Sequence, residues 1–403
     1  MRKIPWVVAV VALAVTVMSG WAGTVTAAKS DIELYGYIKL DAVYDTQRNV
    51  AGDITLWTHP ESIDGKDNEF NMTAKQSRFG LKITAPEMEG GPKITGKLEG
   101  GFYGVASASS SLASPHKNSL RIRLAYVDLA YDEWSIRAGQ DWDTIIAIIP
   151  NAVNFTYFGD QGSPGYRRAQ FRITKKTTMG ATKLTTAVAA ARTIGDLDVD
   201  RNGQDDGVDS GLPSVQAIAT LETPWYTEKN LKLSVSGLYG QEMLDVMSTN
   251  NTVVKVDEHD YDSWMGMVSV YLPLASKLAA QGAVWKGQNL TAYEAGINQG
   301  INATLRTEVR AEGGWVQLVF DPAKKWNFNV GAGMDDPNDA DLNAGGRARN
   351  QYLMASVWYK MNDQVHWAFE YSNLETSFKG LPAGAGKDEG VNDRFHGAVF
   401  YYF

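Results

Sequence analysis

The sequence predicts an all-β protein that crosses a membrane as an antiparallel β-barrel. Apolar and polar residues alternate along many segments, and short turns alternate with long polar loops. Aromatic residues cluster near the segment ends, as they do at the two lipid–water interfaces of a barrel. The mean hydropathy is only -0.26 although 44% of the residues are hydrophobic, because only every second residue of such a strand faces lipid.

The N-terminus has the pattern of a secretory signal peptide. Arg2 and Lys3 precede an apolar run, Val7–Met18, and small residues follow up to Ala28. We expect cleavage after Ala27 or Ala28, so that residues 1–28 are removed and residues 29–403 form one barrel domain. A permanent anchor is the alternative, but the run is shorter than the roughly 20 apolar residues that a spanning helix needs.

Composition excludes several classes of protein. The chain has no cysteine, so it uses no disulfide and no cysteine-ligated metal or haem. Its formal net charge is -8, which makes it a poor partner for nucleic acid. The five histidines form no metal-ligand spacing, and no catalytic motif is present, so the sequence does not indicate an enzyme.

The strands follow one another in a regular rhythm. The first, residues 32–45, places Leu34 and Ile38 on one face and Lys39 on the other. A polar loop follows, and the next strand sets Phe79 and Leu81 against Arg78. Counting onward gives about 16 strands, an even number as in single-chain barrels. Long loops are expected at residues 47–69, 141–165, 195–213, 242–260, 289–303, 335–346 and 378–392.

The C-terminal strand separates a membrane barrel from a soluble β-sandwich, which is the alternative all-β fold. Phe395, Val399, Tyr401 and Phe403 alternate with other residues, and the strand ends on an aromatic residue. A soluble sandwich needs no aromatic girdle, so this strand favours the barrel. Further aromatic residues near predicted strand ends are Trp134, Trp225, Tyr271, Trp326, Trp358, Tyr359 and Tyr402.

Several short segments together resemble the trimeric outer-membrane porins, and among them the DcaP-like dicarboxylate porins. They are Gln76–Leu81, Ala125–Leu129, Arg137–Trp142, Gly331–Pro337 and the terminal Phe403. The resemblance implies a 16-stranded barrel in the outer membrane of a Gram-negative bacterium. It also implies a homotrimer and a third extracellular loop that folds into the lumen.

Arginines recur on one face of three segments, Leu120–Leu124, Trp134–Gln140 and Arg168–Ile173, which flank the non-alternating residues 141–165. This arrangement predicts a pore wall and a loop that narrows it. The predicted constriction comprises Arg78, Arg121, Arg123, Arg137, Asp141, Asp143, Arg168 and Arg172. Fewer acidic residues are expected on the lumen face: Glu33, Asp41, Glu99, Glu308, Glu312 and Glu370.

Two roles remain open for these arginines. Guanidinium groups match carboxylates and phosphates bidentately, so a wall of them favours anions. Alternatively, they pair with Asp141, Asp143 or Asp160 and pin the loop to the wall. A lipid-facing position is excluded, because it costs about 2–4 kcal/mol at the membrane midplane.

The predicted loop contains an apolar run, Ile145–Ile149, that is compatible with a strand extension. Pro150, Asn151 and Asn154 favour a segment that folds back instead. The isoleucines then pack against the wall or at a subunit contact.

A second loop carries a spacing of calcium ligands. Asp198, Asp200, Asn202, Asp206 and Asp209 fit most of an EF-hand-type loop, and Gly203 permits its sharp turn. The glutamate that normally closes such a site is replaced by Asp209, and the flanking helices are missing. A solvated acidic loop is the alternative. No other cofactor is required.

The sequence therefore predicts a passive outer-membrane channel for small hydrophilic solutes that prefers anions such as carboxylates. The expected partners are two further copies of the chain, outer-membrane lipid or lipopolysaccharide and small anionic solutes. The alternative is a structural or surface-binding barrel whose acidic loops bind calcium.

Overall fold

The computed structural model describes residues 30–50, 52–61, 66–104, 119–194, 205–247, 253–381 and 389–403. The predicted signal peptide and Asp198, Asp200 and Asn202 lie outside these ranges. Within them the chain forms sixteen antiparallel crossings, of which the second is made of two pieces. The strands are β1 (Asp31–Asp45), β2 (Glu69–Thr73 and Arg78–Thr84), β3 (Lys93–Gly104), β4 (Ser119–Ala130), β5 (Trp134–Trp142), β6 (Arg167–Met179), β7 (Thr182–Ala191), β8 (Ser214–Thr223), β9 (Leu231–Met247), β10 (Val253–Ala275), β11 (Leu278–Gln288), β12 (Arg310–Ala323), β13 (Trp326–Pro337), β14 (Arg347–Lys360), β15 (Val365–Phe378) and β16 (Glu389–Tyr402).

The barrel is closed by pairing β1 with β16. Tyr37 lies opposite Tyr402, and Asp45 lies opposite Arg394. Beyond the strand end, the amide of Gly36 donates to the carbonyl of Phe403 at 3.1 Å, and the amide of Phe403 donates back at 3.2 Å. Since β1 also pairs with β2, the sheet has no free edge, and the predicted 16-stranded barrel is confirmed.

Alternation along each strand separates a lipid-facing exterior from the lumen. On β1, Ile32, Leu34 and Ile38 are exposed, whereas Lys39 and Asp41 are buried inside. Glu312 is an exception to the predicted lumen set. It lies on the outer face of β12, as does the exposed Val316 four residues further along the strand. Its carboxylate lies 2.7 Å from the ammonium group of Lys286. That expectation for Glu312 is therefore wrong.

Small helices occur only in the loops of the described residues: a one-turn helix α1 (Asp206–Asp209) and two 3-10 turns, Thr291–Tyr293 and Asp339–Asp341. Loop residues also form a short hairpin from Ile301–Asn302 and Thr307–Glu308. No helix in the described part of the chain is long and apolar enough to span a membrane.

Short turns and long loops alternate between the two ends of the barrel as predicted, with one correction. The expected loop at residues 242–260 is mostly strand, because β9 continues to Met247 and β10 begins at Val253. Glu242 pairs with Tyr261 and Asp245 with Glu258 in this extension. Backbone pairing therefore continues where the side chains turn polar, which sequence composition alone marks as a loop.

One half of the inner wall carries a cluster of apolar side chains. Inward residues of β9 to β12 and β14, among them Leu238, Met265, Trp285, Trp315 and Tyr352, form a buried cluster with residues that follow β5. The opposite half, from β2 to β6, carries the arginines. This division determines where the third loop lies.

Candidate functional site: the pore constriction

Residues 143–166, here called the constriction loop, connect β5 to β6 and fold into the barrel. The amide of Thr144 donates to Gln216 on β8 at 2.6 Å, and the amide of Asn151 donates to Gln317 on β12 at 3.0 Å. Gln161 donates to the carbonyl of Thr55 at 2.7 Å. Because these contacts reach strands on distant parts of the wall, the loop crosses the lumen. The prediction of an inward-folded third loop is confirmed.

The loop packs on the apolar half of the wall. Ile145 is completely buried there, and Phe158 makes edge contacts with Tyr352 and Trp315 at centroid distances of 4.8 and 6.1 Å. Residues 145–149 therefore fold back against the wall and do not extend β5. Burial of these side chains holds the loop in place without a covalent link.

Glycines let the loop backbone approach the wall closely. A Cβ atom on Gly333 of β13 would lie 2.1 Å from the carbonyl oxygen of Gln161. Gly162 has a φ of +112°, and a Cβ atom on it would lie 2.1 Å from the carbonyl oxygen of Gly314. At both positions, only glycine leaves room for the neighbouring backbone.

The tip of the loop is held by Glu370 on β15. Its carboxylate accepts hydrogen bonds from the amide of Val153 at 2.6 Å and from the hydroxyl of Tyr352 at 3.2 Å. The ammonium of Lys39 donates to the carbonyl of Val153 at 3.0 Å, and Asp41 lies 2.7 Å from that ammonium. Charged side chains of the wall, Glu370 and Lys39, thus bind the backbone amide and the backbone carbonyl of Val153.

A second segment, residues 289–300, also enters the lumen and is here called the support loop. The amide of Asp160 donates to the carbonyl of Glu294 at 2.7 Å, and the amide of Gly165 donates to the carbonyl of Tyr293 at 2.6 Å. The side chain of Asp160 accepts from the amide of Asn298 at 3.0 Å. The constriction loop is therefore fixed on the side of the support loop as well as at its tip.

Most arginines predicted for the constriction are ion-paired. Glu99 lies 2.8 Å from Arg123 and 3.6 Å from Arg78. Asp141 pairs with Arg137 at 2.6 Å and also with Arg172. These two carboxylates neutralise much of the positive charge on β2 to β6.

Arg168 and Asp143 have a structural role. Their ion pair, with Nε and Oδ1 2.6 Å apart, is completely buried, so neither group can meet a solute. Arg168 also donates to the carbonyl of Ala292 in the support loop at 2.7 Å. Asp143 accepts from the amide of Tyr166 at 2.8 Å. For this pair the loop-pinning interpretation of the sequence is the observed arrangement.

Two guanidinium groups of the wall have no carboxylate partner among the described residues, namely Arg121 and Arg167. Arg121 makes one long hydrogen bond, 3.4 Å, to the hydroxyl of Tyr166. Arg167 lies over the rings of Trp142 and Tyr166, at 4.5 and 5.2 Å from the centroids. Sequence analysis identified Arg121 but missed Arg167, because strict alternation assigns it to the face opposite Arg168.

Both free arginines line a cavity of about 270 Å³ between the basic wall and the constriction loop. Aromatic rings form much of its surface. Phe155 stacks on Tyr103 at 4.6 Å with an interplanar angle of 9°, and Arg121 lies 5.8 Å from each ring. The cavity thus combines two cations with flat apolar walls.

Glu294 of the support loop lines the same cavity. Burial raises the pKa of this carboxyl group to about 7, and the positive charge of Arg167 opposes the rise. Its sequence context, a polar loop without a motif, gave no signal of this position.

The predicted calcium loop is only partly described. Asp206 and Asp209 lie in α1, which Asp205 caps by accepting from the amides of Gly207 and Val208 at 3.1 and 3.2 Å. Among the residues that the structure describes, no group of three or more carboxylates, histidines or cysteines is placed to hold a metal ion. Calcium binding stays a prediction.

Comparison with solved structures identifies the fold. The outer-membrane channel DcaP of Acinetobacter baumannii superposes with a TM-score of 0.70 at 20% identity, covering 95% of this chain and 100% of that one. An anion-selective porin from Comamonas acidovorans gives 0.57 at 11% identity, with 93% and 100% covered. OmpT of Vibrio cholerae in its trimer form gives 0.57 at 10%, with 93% and 100% covered.

No protein-family model and no curated protein matches the sequence. The class of protein is therefore defined by the structure: a closed 16-stranded barrel with an inward third loop, which is the fold of the outer-membrane porins. At these identities the likeness shows the fold alone.

Proposed function

We propose that this protein is a passive diffusion channel in the outer membrane of a Gram-negative bacterium and that it prefers small anions such as carboxylates. The observation that carries the proposal is the pair Arg121 and Arg167, which line the constriction without a carboxylate partner in the described residues. Unpaired cationic groups along a pore lower the barrier for anions and raise it for cations.

The porin fold supports the channel part of the proposal, and two of the similar structures are an outer-membrane channel and an anion-selective porin. The charge distribution supports the anion preference. The chain carries a net charge of -8, yet Arg121 and Arg167, which form no ion pair among the described residues, line the cavity in the lumen. Only acidic groups that lie more than a Debye length from the constriction act weakly there at physiological salt, so nearby charges dominate.

The test is the reversal potential of the purified protein in a planar bilayer under a potassium chloride gradient. We expect an anion-selective current. Replacing both arginines, Arg121→Ala with Arg167→Ala, should remove most of that preference. Arg310→Ala is the matched control, because Arg310 lies on the outer surface and pairs with Asp341 at 2.7 Å. A cation-selective wild-type channel would refute the anion preference, and a protein without conductance would refute the channel.

We further propose that the protein is a homotrimer whose remaining exterior contacts membrane lipid and, on the loop side, lipopolysaccharide. The trimer form of the Vibrio cholerae protein supports the oligomer. Light scattering of the detergent-solubilised protein tests it: three times the mass of the mature chain is expected, and a single chain mass would contradict the proposal.

A second candidate function is a surface barrel that binds calcium through residues 198–209. The spacing of Asp198, Asp200, Asn202, Asp206 and Asp209 favours it. Isothermal titration with calcium chloride should show uptake that the double variant Asp198→Asn with Asp200→Asn loses. Absence of uptake at millimolar calcium would end this candidate.

A further inference from the structure

The carboxylate of Glu294 is placed unusually for an acidic residue in this lumen. It follows the 3-10 turn Thr291–Tyr293 and has a positive φ of 53°, which is rare for a residue other than glycine. Its backbone is fixed on both sides, by its own amide donating to Thr291 at 3.0 Å and by its carbonyl accepting from Asp160. The side chain is therefore presented to the cavity from a rigid position.

Unlike Glu99 and Asp141, Glu294 forms no ion pair within 4.0 Å in the described part of the protein. Its carboxylate accepts no hydrogen bond from those residues either, although it lines the same cavity as Arg121 and Arg167. The side chain remains half-buried, so water and ions reach it from the cavity. A partly buried carboxylate without such partners still costs free energy, and such a cost is typical of functional positions.

Gly159 of the constriction loop makes room for this carboxylate. A Cβ atom on Gly159 would lie 2.5 Å from Oε2 of Glu294. The two lumen loops thus meet where the carboxylate lies, and a methyl group on one loop would displace it.

Four other charged groups face Glu294 from the elements packed around it. Arg121 on β4 and Arg167 on β6 attract it, whereas Asp143 and Asp160 on the constriction loop repel it. The phenols of Tyr157 and Tyr166 line the same cavity. Asp143 is compensated by its buried pair with Arg168, and Asp160 is not among the residues that line the cavity. The balance among the lining groups therefore lies between two arginines and Glu294.

We propose that Glu294 is a specificity-determining residue of the pore: its charge opposes Arg121 and Arg167, and its protonation sets how strongly the channel prefers anions. When Glu294 is ionised, the cavity carries two positive charges and one negative charge. When it is protonated, both positive charges act on the permeating ion. This inference rests on the proposed function, because it assumes that ions pass the cavity.

The sign of the pH effect follows from the elevated pKa of about 7. Glu294 is mostly ionised at pH 8.5 and mostly protonated at pH 5.5, so anion preference should increase as the pH falls. One unit charge about 6 Å from an ion in water changes its energy by about 0.7 kcal/mol. Protonation lowers the energy of an anion and raises that of a cation by this amount, so we expect the anion-to-cation permeability ratio to rise about tenfold between these two pH values.

The experiment measures reversal potentials of the full-length protein in planar bilayers, under a potassium chloride gradient at pH 5.5 and at pH 8.5. Glu294→Gln should show the high ratio at both pH values and lose the pH dependence. Glu312→Gln is the matched control, since its carboxylate is exposed on the outer surface beside Lys286, and it should behave as wild type. Gly159→Ala, which leaves the carboxyl group in the chain but moves it, should change the size of the difference between the two pH values.

The outcomes separate this inference from the proposed function. An anion-selective channel whose ratio is the same at both pH values, or whose pH dependence survives Glu294→Gln, overturns the role of Glu294. In that case the effect of the double arginine variant still supports anion selection. A channel that prefers cations at both pH values overturns the proposed function itself.

Discussion

Arginine has two roles in this lumen, and a neighbouring carboxylate decides between them. Arg123 and Arg78 both pair with Glu99, whose negative charge offsets part of their positive charge. Arg121 and Arg167 form no ion pair within 4.0 Å among the described residues, and both line the cavity into which Glu294 also points. The charge that a permeating ion meets is therefore set by the few acidic residues as much as by the many arginines.

This balance gives a prediction for Glu99→Gln. Loss of the carboxylate unmasks positive charge, so the anion-to-cation permeability ratio should rise at every pH. The free energy of unfolding should fall by about 3 kcal/mol, because Arg123 is left buried without a counter-charge. Reversal potentials and urea titration in liposomes measure the two effects. An unchanged ratio would show that Glu99 does not mask the wall, and Glu312→Gln again serves as the control.

The sequence alone could locate the arginines of the basic wall, but it could not show which of them are ion-paired. Alternation places Arg78, Arg121, Arg123, Arg137 and Arg172 on one face, which is where they lie. Which of them are paired depends on contacts between strands, and a period-two pattern carries no information about those. Arg167 is the first residue of β6, where alternation assigns it to the wrong face, and Glu294 lies in the support loop, where no period applies.

At the scale of elements, different interactions hold the flanks and the tip of the constriction loop. Apolar packing around Ile145 and Phe158 holds its flanks, and hydrogen bonds from Val153 to Glu370 hold its tip. Packing is not directional, whereas hydrogen bonds to a charged group are. The tip should therefore be the part that a single substitution can release.

We expect Glu370→Ala to free the tip while the barrel stays folded. Hydrogen bonds to a charged group contribute about 1.5–3 kcal/mol, and the variant leaves the amide of Val153 without its acceptor. The channel should then show flickering single-channel currents, and chymotrypsin should cleave within residues 143–166. Glu375→Ala, on the outer face of the same strand, should show neither effect. A quiet, protease-resistant Glu370→Ala channel would contradict this account.

Gly333→Val should push the loop from the wall. The new Cβ would clash with the carbonyl of Gln161, and overpacking of this kind costs about 1–3 kcal/mol. The displaced loop narrows or blocks the cavity, so single-channel conductance should change by more than it does in Gly266→Val. Gly266 is the control, because a Cβ there meets nothing within 4 Å. Equal conductance in the two variants would mean that the loop tolerates the displacement.

The apolar side chains on the inner face of β9 to β11 explain why alternation in the sequence did not predict every inward residue. Met265 and Trp285 point into the barrel, where the rule of apolar-out and polar-in expects polar residues. They are apolar because the constriction loop covers them and keeps water away. A loop that returns to the sheet therefore reverses the local pattern, and the pattern alone cannot show which strands it will cover.

At the scale of the whole molecule, the exterior is adapted to lipid. Val330 is among the exposed valines of the outer surface, and Trp326, near a short turn, lies 4.7 Å from Tyr359. An apolar belt bounded by aromatic residues fixes the barrel at a defined depth in the membrane.

This exterior predicts that Val330→Lys destabilises the barrel by about 2–4 kcal/mol in a bilayer. Leu305→Lys is the control, since Leu305 is exposed to a similar extent but lies in a loop hairpin outside the strands. The midpoint of urea unfolding in liposomes measures the difference. If both lysines shift the midpoint equally, the face of Val330 is not in contact with lipid.

The seam between β1 and β16 has a consequence for assembly. It joins residues that are far apart along the chain, for example Asp41 and His396, which are 355 positions apart and 2.7 Å from each other. Until β16 docks, β1 and β15 each present an open row of backbone donors and acceptors, which hydrocarbon cannot satisfy. Insertion is consequently an all-or-none event that waits for the most distant pairing. A chain that lacks residues 389–403 would expose two unpaired strand edges, on β1 and β15. Other chains could pair with these edges, so we expect such a chain to aggregate even though its remaining strands are intact.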